Sequence, residues 1–413
     1  MERGFRGARA YGKQRRPMYV ARILLAPAAT AVVGLLLWAT GTARVAQAQA
    51  ALEVRTTLPP WVAPGAVYEV GGRAAPATSV RLWVGTSPHS RVVSGPLGGF
   101  RFRVRAPRSP GRYAIAVTSG GARVEAGTLR VRPLVLAAAG DVTFGDGVLS
   151  AIELHGARWP WRSVAGILRS ADLALANLEG AVSTRGSPWP GKKYTFRGPP
   201  YALRVARSYA GIDAMSLANN HTLDYGRTAF ADTIANARQF RIATAGGGRD
   251  LAAARRPAIL TAGNLRVALL GYSDVRPLGF DAGSGVSGTA PAFPEYIRAD
   301  VRAARRRADL VVVYFHWGIE LARTPSDRQR SLAQTAFDAG AQVILGAHPH
   351  VLQPRGRRTG GRFVAWSLGN FVFAAHSPRT EATGILRLRL GRQGVLRWGF
   401  RRATIHWVQP RLD

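Results

Sequence analysis

The sequence predicts an α/β (α+β) chain with two folded parts, a small all-β sandwich of roughly Ig-like size over 51–133 and a larger α/β region over 134–413. Two observations predict this. Between Leu52 and Val131 apolar residues alternate with a period of two and are cut by turn residues at short intervals. From Leu134 onward, short apolar runs alternate instead with helix-like segments such as 202–210, 228–239 and 326–339.

In the first part, Val80–Val84, Phe100–Arg105, Tyr113–Val117 and Leu129–Val131 put apolar side chains on one face and arginines on the other. Turns are expected at Ser94-Gly-Pro96, Gly98-Gly99, Ser109-Pro-Gly111 and Ser119-Gly-Gly121. His89, in a Ser-Pro-His-Ser turn, reads as a surface residue. In the second part the chain closes on strands, Ile385–Leu390 and Val395–Val408, joined by a Gly391–Gly394 turn.

Residues 1–50 read as a leader. Seven basic residues from Arg3 to Arg22 precede the apolar stretch Ile23–Thr40, and the small-x-small pattern of Ala46-Gln-Ala48-Gln-Ala50 follows it. The expectation is a signal peptide or an uncleaved signal anchor, with the rest of the chain exported to the cell surface or beyond. With no cysteine in 413 residues, disulfide scaffolds, thiolate metal sites and cysteine nucleophiles are excluded.

The formal net charge is +34, from 57 Lys+Arg against 23 Asp+Glu. The leader holds eight of the basic residues and one acid, so about +27 belongs to the remainder. Only Lys13, Lys192 and Lys193 are lysines, so the excess is dispersed arginine. Dispersal, export and the lack of a recognition motif argue against nucleic acid and leave an acidic polymer as the partner that the charge would suit.

Chemistry gathers where the apolar runs of the second part end. Leu134–Ala139 leads into Gly140-Asp141, Leu173–Ala176 into Asn177-Leu-Glu179, and Ala214–Ala218 into Asn219-Asn220-His221. Leu310–Phe315 leads into His316, Val343–Leu345 into Gly346-Ala-His348-Pro-His350, and Phe363–Leu368 into Gly369-Asn370. Strand ends of an open α/β sheet meet at one edge, where ligands bind. Two acids, amides and imidazoles converging there form a nitrogen and oxygen donor set for one or two divalent transition-metal ions, Mn, Fe or Zn. Asn219 and Asn370 read equally well as loop-stabilising amides. His155, His376 and His406 lie outside the pattern and read as structural or exposed.

The ordered series Gly140-Asp141, Asn177-Leu-Glu179, Leu217–Gly226, His316–Glu320, Gly346–Pro354 and Ser367–Phe371 resembles the CapA family of capsule or poly-γ-glutamate synthesis proteins over about residues 134–376. The resemblance implies a calcineurin-like metallophosphoesterase fold, a β-sandwich flanked by helices. It implies Asp141 and His350 as ligands of a first metal site, Glu179 as a bridging carboxylate, and Asn220, His316 and His348 as ligands of a second. His221 would act on the leaving group or the transition state, oriented by Asp224. Glu320 would be a supporting partner of a ligand imidazole or an arginine. Where phosphoesterases have Asp-x-His, this chain has Asp141-Val-Thr143, with Thr143 or Asp146 as substitute oxygen donors.

The resemblance implies a metal-dependent, hydrolase-like protein handling a polyglutamate-like anionic polymer, with a membrane synthase complex as a further partner. The alternatives are a non-catalytic polymer-binding scaffold and a secreted metallophosphoesterase or nucleotidase.

Overall fold

The computed structural model describes residues 51–375 and 377–413. The leader and its apolar run, and the expectation for His376, lie outside the described residues. Among the described residues no helix is long and apolar enough to cross a membrane.

Residues 53–131 form two antiparallel sheets. One pairs Glu53–Val54, Val67–Arg73 and Gly99–Arg105, and the other orders Ser87–Val93, Ser79–Val84, Gly111–Ser119 and Ala122–Val131. Alternation accounts for them. Phe100, Phe102 and Val104 are buried while Arg101, Arg103 and Arg105 are exposed, and Val80 and Leu82 turn inward on either side of the exposed Arg81. His89 is exposed, but it stands in the Ser87–Val93 strand rather than in a turn. Pro88 hides that strand from a propensity reading, and it fits because the strand lies at the sheet's edge.

The rest of the chain builds two mixed sheets. The first runs Ala243–Ala245, Ala214–Ser216, Leu173–Leu178, Leu134–Val142, Ala382–Gly391, Gly394–His406 and Gln409–Leu412, with Asn370–Val372 alongside the end of Leu134–Val142. The second runs Ala258–Ala262, Leu265–Ser273, Leu310–His316, Val343–Ala347, Arg362–Ala365 and Arg355–Arg358. In the first, the strands from Ala243–Ala245 to Leu134–Val142 run parallel and the last three pair antiparallel; in the second, the four central strands are parallel and the two outer ones antiparallel.

The side-chain period of two sorts the core into layers. Leu134, Leu136, Leu173 and Leu175 of the first sheet share one apolar cluster with Val267, Leu269, Val312 and Leu345 of the second. Their neighbours Ala137, Ala174 and Met215 face outward onto helices including Gly147–His155 and Gly226–Gln239. Leu270, Val311 and Ile344 face outward onto Pro294–Arg307 and Asp327–Ala339. Two sheets face to face with helices on both outer sides are the layered sandwich that the resemblance implies. Burial on both faces explains why these strands read as unbroken apolar runs.

The inner cluster also continues into the first two sheets, through residues such as Val62, Val70 and Val131. A polar tie runs along the same seam. Arg132 lies over the Trp61 ring at 3.5 Å and donates two 2.7 Å bonds to Asp172, which also accepts from the Val135 N–H at 2.8 Å.

Candidate functional site

The strand ends of both sheets meet along one edge. Tyr314 of the second sheet donates to the Ala139 carbonyl of the first at 2.6 Å, which holds the Asp141 and His316 ends together. The chain then crosses between sheets over residues 366–369. Sequence reasoning places Asn370 at the end of a Phe363–Leu368 strand. Instead Arg362–Ala365 belongs to the second sheet and Asn370 opens a strand of the first, paired with Asp141. Gly140 permits the crossing, since a Cβ there would lie 1.8 Å from the Gly369 carbonyl oxygen.

Asp141 and Glu179 are fully buried. Asp141 accepts from the Asn177 amide at 2.9 Å and from the His348 N–H at 3.2 Å, and its Oδ2 lies 3.5 Å from His350 Nδ1. Burial pushes the Asp141 carboxyl above its ordinary range, and His350 opposes that shift. Neither Glu179 oxygen has a hydrogen-bond partner. Burial, and then the Asp141 charge, hold the Glu179 carboxyl well above its ordinary range.

The imidazoles surround this pair. His316 Nδ1 lies 3.4 Å from the Asn177 amide and its Nε2 lies 2.7 Å from Asn220 Oδ1, an arrangement that suits a neutral ring with hydrogen on Nε2. Its ring is 4.8 Å from that of His348, whose Nδ1 is buried without a partner. Burial lowers the pKa of His316 far below the usual imidazole value, and that of His348 to about 3. His350 Nδ1 meets Asn370 Oδ1 at 2.8 Å, and its Nε2 lies 3.8 Å from Glu179. His348 and His350 have φ of 92° and 56°, a conformation disfavoured for side chains of this size.

That turn is held from outside. Leu321 N–H donates to the Pro349 carbonyl at 2.9 Å. Gln329, part of the capping box at Ser326, donates to Gln353 at 3.0 Å, and Gln353 donates to the Ala322 and Thr324 carbonyls.

His221 approaches the same Glu179 oxygen that His350 approaches. Its Nδ1 is 2.7 Å from Asp224 Oδ2, its ring stacks on Phe196 at 4.3 Å, and its Nε2 lies 3.8 Å from Glu179 Oε1. With hydrogen on Nδ1 bonded to the carboxylate, Nε2 is the free nitrogen on the Glu179 side. Burial pulls the His221 pKa down, and Asp224 resists that shift. Lys192 pairs with Asp224 Oδ1, donates to the Asn220 carbonyl and lies 3.1 Å from His221 Nδ1. Sequence reasoning misses Lys192. Its signal is rarity, as one of three lysines in an arginine-rich chain.

The structure thus brings together Asp141, Glu179, Asn220, His221, Asp224, His316, His348 and His350. The donor atoms of Asp141, Glu179 and His350 lie within 4.8 Å of one another, as do those of Glu320, His348 and His350. Glu320 is exposed. Asn219 has a structural role, donating to the Leu178 carbonyl at 2.7 Å and accepting from the His221 N–H. Asp146 is exposed at the start of a helix, and the Thr143 hydroxyl accepts from the Gly145 N–H at 3.2 Å. His155 is exposed and stacked on Trp159, and His406 is exposed in a strand.

A buried carboxyl group whose oxygens have no hydrogen-bond partner, set among imidazoles, is an arrangement that a bound cation would stabilise, so the residues fit a divalent metal. The fold and cluster define a two-sheet α/β protein with a candidate metal centre where the sheets' ends meet. The chain belongs to the family described as bacterial capsule synthesis protein PGA_cap, whose sequence profile matches residues 135–375. It is 32% identical to the PGA biosynthesis protein CapA of Bacillus subtilis (strain 168) over 273 residues, 66% of this chain and 71% of that one. It is 30% identical to the capsule biosynthesis protein CapA of Bacillus anthracis over 269 residues, 63% of this chain and 65% of that one. Among solved structures it is similar to a 5'-nucleotidase precursor from Thermus thermophilus, at 16% identity and a TM-score of 0.40, over 66% of this chain and 54% of that one.

Proposed function

We propose that this chain acts at the cell surface, after export, in the synthesis, handling or release of an acidic capsule-type polymer such as poly-γ-glutamate, through a metal-dependent hydrolase-like site. Family membership supports the process, and the relatives' names supply the polymer. One observation carries the chemistry: Glu179, fully buried with both oxygens unpartnered, lies beside Asp141 and within 3.8 Å of both His221 Nε2 and His350 Nε2.

Asp141, Glu179 and His350 would hold one ion of Mn, Fe or Zn, and Asn220, His316 and His348 a second. A bound ion would supply Lewis-acid polarisation of a substrate oxygen and stabilise developing negative charge. His221 Nε2 exchanges a proton with the reacting group, while Asp224 fixes the tautomer and Lys192 holds Asp224. The partners are the polymer itself and a membrane synthase complex that makes it.

Metal analysis of the purified full chain tests this reading. Wild type is expected to hold one or two equivalents of Mn, Fe or Zn, with His316→Ala and His348→Ala losing metal. A wild type that takes up none of the three sinks it.

A second reading is a polymer-holding scaffold without turnover. Thr143 favours it, since a hydroxyl stands where phosphoesterases have an imidazole and accepts from the Gly145 N–H. Undiminished polymer production by a His221→Ala protein would select that reading over catalysis.

A further inference from the structure

Behind the turn that carries His350, a groove of about 400 Å³ is lined by Arg323, Arg355, Arg379 and Arg402, with Asp413 as its acid. Its walls belong to the same backbone as the site. Val351 and Leu352, which follow His350, line it, as does Thr383, whose hydroxyl donates to the Asn370 carbonyl. Asn370 in turn meets His350 at 2.8 Å.

The arginines are under-compensated. Among the described residues Asp413 reaches Arg402 at 3.6 Å, and no ion pair joins Arg323, Arg355 or Arg379 to an acid. Arg355 is the telling case. Its guanidinium carbon lies over the Phe400 ring, 3.6 Å from the centroid, and its Nε is buried with no acceptor. A buried charged donor without a partner is costly unless a ligand completes it. Burial and the nearby Arg402 charge depress the Arg355 pKa, as expected of two cations facing one space. Asp413 already shows how a carboxylate sits here, on Arg402 and on the Thr404 hydroxyl at 3.0 Å.

We propose that this groove is a carboxylate-binding subsite that holds a segment of an acidic polymer chain beside the metal-site cluster, with Arg355 and Arg379 gripping successive pendant carboxylates. Arginine suits the task because its planar fork pairs bidentately with carboxylates. The assignment of polymer rests on the function proposed above, whereas the groove and its unpartnered arginines do not.

The test is direct binding of fluorescent poly-γ-glutamate to the full-length chain at fixed ionic strength, with polyphosphate and single-stranded DNA as competitors. Arg379 is exposed, so Arg379→Gln should leave folding intact, and Arg355→Gln is checked by its melting transition. Each variant is expected to weaken polyglutamate binding about tenfold or more, with metal content as in wild type. A loss below about twofold in Arg379→Gln and in a folded Arg355→Gln overturns the subsite, as does wild-type preference for polyphosphate or DNA. The two failures can be told apart. Arginine-dependent binding in a protein that takes up no metal leaves the subsite standing and removes the hydrolase reading, and the reverse pattern removes the subsite alone.

Discussion

Asp224 Oδ2 lies 2.7 Å from His221 Nδ1 while its other oxygen is paired with Lys192, so one buried carboxylate is shared between an imidazole and an ammonium. The Phe196 N–H also donates to Oδ2, at 2.6 Å, which leaves the carboxylate little freedom to turn. The pair fixes which nitrogen of His221 is presented to Glu179. Asp224→Asn keeps the shape, but its amide can present a donor to Nδ1 and favour the wrong tautomer. A hydrolytic rate should fall about a hundredfold or more, with metal content retained. Measuring kcat alongside metal content checks this, and His221→Ala should show a comparable drop.

Glu179→Gln should separate stability from function. Burial and Asp141 disfavour the Glu179 anion in the metal-free fold, where both oxygens lack partners. A folded carboxyl whose pKa is raised binds more protons than the unfolded one, so its contribution to stability declines as pH rises above the ordinary carboxylate range. After chelation, Glu179→Gln is expected to melt above wild type at pH 7.5, with the gap closing towards pH 4.5. Added Mn or Zn should raise the wild-type Tm and leave that of Glu179→Gln nearly unmoved. Thermal melts with and without metal read both effects.

Much of this site is legible in the chain because each of its motifs follows an apolar run, with its polar side chains on the last residues of a buried parallel strand or just beyond them. Asp141, Glu179 and His316 are placed in this way. Sheet membership is not legible, since a strand buried on both faces looks the same in either sheet, and so the crossing at 366–369 puts Asn370 in an unexpected strand. Val67–Arg73 escapes notice because Gly71 and Gly72 interrupt its alternation. Lys192 comes 29 residues before His221 in an irregular segment, where no period marks which side chains turn inward.

His348 gives the opposite pH dependence to Glu179. Its folded pKa is pushed down to about 3, chiefly by burial, whereas an unfolded imidazole titrates near 6.5. Between those values the unfolded chain binds more protons, so the His348 contribution is present above about pH 6.5 and is lost as pH falls towards 3. At pH 5 the loss is about 2 kcal/mol. In chelated protein, the stability difference between wild type and His348→Ala should therefore shift by about that amount between pH 7.5 and pH 5, towards the variant. Urea titrations at the two pH values measure it, and the comparison cancels the opposing carboxylates, which both proteins share.

The Arg132–Asp172 contact makes a prediction about the seam between the first two sheets and the rest. Asp172 accepts two bonds from Arg132 and one from the Val135 N–H, while Arg132 covers Trp61. Gly263, which also meets Trp61, has φ of 54°, and a Cβ there would lie 2.0 Å from the ring. Asp172→Ala leaves a half-buried guanidinium and a backbone donor without their acceptor, at a cost of about 2–3 kcal/mol. Because the apolar cluster is continuous across this seam, the loss should lower one cooperative transition rather than split it in two. Gly263→Ala should act in the same direction by forcing Trp61 off its seat. Calorimetry on wild type and both variants decides the matter: a separate low-temperature transition for residues 51–133 in wild type would show that the two parts fold independently.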